Sequence, residues 1–113
     1  MIQEKLTVLK TANVIDEAVY QYMQEVLSVL ETKELVEKSE VFMTHLAMAT
    51  ARQQKGESVG ALDALIVEQM KAETQYEEAV AIWHELAALA PVTFHEDELA
   101  YLYLHLCTML AED

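Results

Sequence analysis

The sequence predicts an all-α fold, a bundle of helices, and three observations predict it. Apolar residues recur three and four apart along most of the 113-residue chain, which is the spacing of an amphipathic helix. Only two glycines and one proline are present, too little turn chemistry for a meander, sandwich or barrel of short strands. Helix-opening patterns, a capping residue or an acid ahead of an apolar run, stand at several points. Hydrophobic residues make up 53% of the chain and its mean hydropathy is +0.10, so core material is ample and disorder is excluded. The length suits one domain, expected to span residues 1–113.

Residues 1–12 contribute Leu6 and Leu9 and are expected to form an arm or short helix packed on the body. Asn13 is placed to cap a helix from Val14, with Asp16 and Glu17 in a first turn that favours acids. Ile15, Ala18, Val19, Tyr22, Met23, Val26, Leu27 and Leu30 form its apolar stripe. Between Glu31 and Glu40 a charge-rich stretch without Gly or Pro allows either a bend or a continued helix. The run from Val41 to Ala51 is apolar on every side, as a helix inside a bundle is. Gln53 to Gly60 reads as the one clear loop. A short helix is expected over 61–72. Thr74-Gln75-Tyr76-Glu77 has the spacing of a capping box and opens a helix to Ala90, which Pro91 ends. Thr93-Phe94-His95-Glu96 repeats that spacing ahead of the last helix, from Leu99 to Leu110. The outline is four substantial helices and a short one, with the second and the last central.

Charge and composition narrow the function. The net charge of −13 is lopsided: residues 57–113 hold one base, Lys71, against 12 acids. Phosphate-backbone binding needs clustered cations, so nucleic acid and anionic membrane are poor partners and a protein with a basic face is a better one. A single cysteine, Cys107, excludes a disulfide framework and a multi-cysteine metal site, and reads as an inert core thiol suited to a reducing cytosol. No signal peptide and no membrane span is expected. Three residues before the four histidines stand Phe42, Ala81, Val92 and Leu102, so the Glu-x-x-His pattern of di-iron bundles is absent. A composite metal site from His45, His105 and Cys107 is a minor alternative. Glu96, Asp97 and Glu98 read as acids favouring a helix dipole, Trp83 and His84 as ordinary packing, and the methionines as core filling.

Each of the two central helices has one histidine near its middle, His45 and His105. His45 and Arg52 are two turns apart on one stripe, roughly 10 Å along the axis, and Tyr101, His105 and Thr108 share a face. One reading is a neutral, hydrogen-bonded core histidine on each helix. The other is a histidine whose ring nitrogen reacts, with Arg52 available to meet an anion.

At these residues the chain resembles the PTS regulation domain, or PRD, the histidine-phosphorylated module of bacterial sugar-operon antiterminators and activators. Phe42-Met43-Thr44-His45-Leu46-Ala47-Met48-Ala49, then Arg52 and Lys55-Gly56-Glu57, is similar to one family signature. Asp97-Glu98-Leu99-Ala100-Tyr101-Leu102-Tyr103-Leu104-His105-Leu106 is similar to the second. Thr44 stands where many members have an acid before the histidine. The resemblance implies a compact five-helix bundle, two antiparallel pairs and a short crossing helix. It implies His45 and His105 as phosphorylation sites with Arg52 supporting the phosphate, and HPr or an enzyme IIB component as donor. A single-PRD, cytoplasmic regulator is expected, a homodimer or bound to a regulatory partner, with no cofactor, no metal and no enzymatic turnover.

Overall fold

The computed structural model describes residues 1–111; Glu112 and Asp113, the last two acids of the charged half, lie outside the described residues. Six α-helices and one 3₁₀ turn follow one another, and no strand occurs among the described residues. We number them α1 (Ile2–Thr11), α2 (Glu17–Thr32), α3 (Glu40–Gln54), α4 (Ala64–Lys71), α5 (Tyr76–Ala87) and α6 (Glu96–Ala111), with the 3₁₀ turn at Val36–Lys38. The count is six rather than five because residues 2–11 form a full helix, fixed by burial of Ile2 and Leu6.

The helix ends explain why two boundaries were hard to read. Asn13 is not a cap for α2. It adopts φ 61° and closes α1: its N–H reaches the Lys10 carbonyl at 3.0 Å, and that of Val14 reaches Leu9 at 2.9 Å. This is a Schellman end, with the left-handed residue that satisfies the last carbonyls. The cap of α2 is Asp16, whose Oδ1 accepts the Val19 N–H at 2.9 Å. The same end recurs after α2, with Glu34 at φ 58°. Glu34 N–H bonds the Glu31 carbonyl at 3.1 Å and Leu35 N–H the Leu30 carbonyl at 2.9 Å. A third such end, after α3, uses Gly56 at φ 71°. The charge-rich stretch is therefore a sharp stop and not a continued helix.

Neither capping box forms. Gln75 caps α5 with no side-chain bond. Ahead of α6, His95 rather than Thr93 serves the first turn, its Nδ1 accepting the Asp97 N–H at 3.1 Å. The short helix starts at Ala64 because the Asp63 carboxylate accepts the Leu65 N–H at 2.8 Å.

The core holds the predicted stripe from Ile15, just ahead of α2, to Leu30, except Ala18, which is exposed, and Leu27, which is half-buried. With it pack Phe42, Met43 and Leu46 of α3, Ile82, Trp83 and Leu86 of α5, and Leu102 and Leu106 of α6. Trp83 meets Phe94 edge-to-face with centroids 5.1 Å apart, and the buried Tyr22 hydroxyl donates to the Leu86 carbonyl at 2.9 Å. α3 packs against α1, α2 and α6, and α6 also takes α4 and α5. α3 and α6 thus lie side by side at the centre. No described helix is long and apolar enough to cross a membrane.

Candidate functional site

α3 and α6 run antiparallel, and two residue pairs record it. His45 stacks on His105, with ring centroids 3.9 Å apart and planes 13° from parallel. Seven residues on from His45 and seven back from His105, Arg52 meets Glu98. Seven residues are close to two full turns, so each helix presents its two residues on one face, and antiparallel packing sets the faces opposite each other.

Neither ring belongs to the core: His45 is exposed and His105 half-buried. Burial first, and the neighbouring His45 second, lower the proton affinity of His105 below the ordinary histidine value. Its ring is therefore held neutral near pH 7, with a nitrogen lone pair available.

Arg52 is already engaged. Its Nε donates to Glu98 Oε2 at 2.9 Å and its Nη2 to Oε1 at 3.1 Å, the fork geometry of a bidentate pair. Glu98 is almost fully buried, with 2% of its side chain exposed against 31% for Arg52. The buried carboxylate requires this partner, and the bond keeps the guanidinium firmly cationic. Three of the five guanidinium N–H donors remain outside the fork.

Both pairs line one pocket of about 280 Å³ between the helices. Ala49 contributes to its α3 wall, Tyr101 and Leu102 to its α6 wall, and Val59 closes it from the loop. The sequence-predicted residues His45, His105 and Arg52 are thus brought together. Thr108 and Cys107 are not: they line a separate cavity with Met70 and Glu73. The composite metal site with Cys107 is overturned by that separation, and no cluster of three or more metal-ligating side chains occurs among the described residues. His84 and His95 are exposed and apart from this pocket.

Glu98 is the pocket residue whose inward place the sequence does not signal directly. As the third of three consecutive acids it reads as part of a solvated first turn, yet it points inward. The available signal was its place seven residues before His105, mirroring the seven between His45 and Arg52.

The model of the PRD domain matches residues 21–108. The chain belongs to the PRD family. The match covers both signature stretches and therefore both histidines. PRDs are regulatory modules that answer to the sugar phosphotransferase system, and the pocket of this PRD is the place where its two histidines meet. No curated protein and no solved structure gives a significant match to the chain.

Proposed function

We propose that this PRD is a bacterial, cytoplasmic regulatory module that accepts a phosphoryl group on His45 or His105 from HPr or an enzyme IIB component. The observation that supports the reading is the stacked histidine pair lining one pocket with the only arginine of the chain. In the transfer, a neutral ring nitrogen attacks the phosphorus held on the donor's side chain. The donor's bond to phosphorus breaks as the new N–P bond forms, and the donor atom takes back its electron pair. The lowered proton affinity of His105 favours this step, because a protonated ring has no lone pair at the attacking nitrogen. The free N–H groups of Arg52 then meet the new charge in charge-assisted hydrogen bonds. The protein is a substrate of phosphotransfer, without turnover of its own.

The readout is a change in dimerisation or in contact with a regulatory protein of a carbohydrate operon. A phosphoryl group adds close to two negative charges to a chain already at −13. It thereby alters any interface formed near α3 and α6. The exposure of His45 and the half-burial of His105 favour this reading over an adaptor with unmodified core histidines.

Incubation with phosphoenolpyruvate, enzyme I and HPr tests the reading. An acid-labile, base-stable +80 Da adduct (the mass of one phosphoryl group) is expected, followed by a shift in the sedimentation coefficient distribution. Absence of the adduct with HPr and with enzyme IIB donors alike would overturn it.

A further inference from the structure

Resting on that reading, we propose that the stacked histidines act as one site: the pair accepts a single phosphoryl group, and a second adds only after the rings separate. Three observations support this.

The first is distance. With ring centroids 3.9 Å apart and planes 13° from parallel, the geometry of two phosphorylated rings is bounded. If the groups leave their rings in opposite directions, the phosphorus atoms are up to about 8 Å apart, and two groups of charge near about −1.5 to −2 at that distance repel in plain water at low ionic strength enough to disfavour the second addition about tenfold. Any lower local dielectric raises the factor.

The second is charge capacity. The pocket between the helices has one permanent cation, Arg52, and one carboxylate, Glu98, and the two are joined in a bidentate pair. Its remaining ionisable neighbour is Tyr101, and the Val59 wall brings no charge. One phosphoryl group can take the free guanidinium donors. A second finds none.

The third is direction. A phosphoryl group bonded to a ring nitrogen lies in the plane of that ring, whereas the partner ring of a stack sits above the plane. In-line attack by one histidine on the phosphoryl of the other is therefore blocked while the rings stay stacked. The pair excludes a second group instead of passing the first along. Double phosphorylation then demands that the rings unstack, which the exposed His45 side chain can do by rotating away from His105.

Mass spectrometry in alkaline solution follows the +80 and +160 Da species with time, using phosphorylated HPr and, separately, phosphoramidate as a small donor that needs no docking surface. Fragmentation assigns each group to His45, His105 or the exposed His84 and His95, and only groups on His45 and His105 are counted. In the wild-type chain at low ionic strength the second group on the pair is expected to be disfavoured about tenfold relative to independent addition. His45→Ala and His105→Ala, both folded by circular dichroism, are each expected to take one group. Independent addition of two groups in the wild type would overturn the proposal. So would failure of one folded single variant to react, since a single reactive histidine would then set the limit.

Ring titration by NMR gives a second readout that needs no phosphorylation. In the wild type the His105 ring is expected to take up its proton at lower pH than in the folded His45→Ala variant, which lacks the neighbouring ring. A His105 titration unmoved by that substitution would overturn the exclusion. Complete absence of adduct together with a moved His105 titration would instead defeat the phosphotransfer reading and leave the coupling of the pair standing.

Discussion

Arg52 and Glu98 tie α3 to α6 through two parallel hydrogen bonds, two turns from the point where His45 and His105 stack. The partners are unequally buried: the arginine keeps access to water and the glutamate does not. That asymmetry determines what each truncation does. Arg52→Met strands a buried carboxylate and should cost about 3 kcal/mol of unfolding free energy. Adding Glu98→Gln to Arg52→Met removes the stranded charge and should restore part of the loss. Urea denaturation of the two variants measures both effects, and a double variant less stable than Arg52→Met would deny the pairing its role.

The His105 environment sets a pH dependence. Its proton affinity is lowered in the fold by burial and by His45, so the unfolded chain binds the proton more tightly. Stability from this group is fully present above the unfolded value of about 6.5 and is lost as pH falls below it. Unfolding free energy should therefore decline between about pH 7 and pH 5, and decline less steeply in His105→Gln. Equal slopes in the two proteins would show that His105 does not contribute.

The left-handed residues that end α2 and α3 should respond in opposite directions. Glu34 sits at φ 58° with a side chain that the conformation disfavours, so Glu34→Gly should stabilise by about 0.5–1 kcal/mol. Gly56 sits at φ 71° with open space around an added Cβ. Gly56→Ala should cost about 1 kcal/mol through backbone strain alone. Thermal or urea unfolding of the two variants provides the check.

These ends also show where the sequence was legible. The helices themselves were, because α2, α3, α5 and α6 bury apolar residues at helical spacing; so was the central place of α3 and α6. The stops after α1 and α2 were not. Schellman ends are signalled by glycine, and here Asn13 and Glu34 adopt the left-handed conformation instead, held by the carbonyls they satisfy. Asn13 resembled a cap for the following helix for the same chemical reason: its short polar side chain suits both positions. At the site, His45, His105 and Arg52 were legible as residues on two faces. That the faces meet, and that Glu98 turns inward to Arg52, depends on the antiparallel packing of helices whose residues lie about fifty positions apart, which local spacing does not encode.

Cys107 should be slow to react. Its thiol is buried, and burial, then Glu73, raises its proton affinity above the ordinary thiol value. Thiolate is the reactive form, so Ellman's reagent at pH 7.5 should modify the native protein at least about tenfold more slowly than the urea-unfolded chain. Comparable rates would place the thiol at the surface.

The central claim is that the stacked pair, and no other histidine, accepts the phosphoryl group. The exposed His84 and His95 are controls present in the same chain. Phosphorus NMR of the protein after treatment with phosphoenolpyruvate, enzyme I and HPr tests it directly. The account predicts phosphohistidine signal that integrates to no more than one group per chain in the wild type and none in the folded His45→Ala/His105→Ala double variant. A resonance that survives in the double variant, or no resonance in the wild type with any phosphotransferase donor, would contradict it.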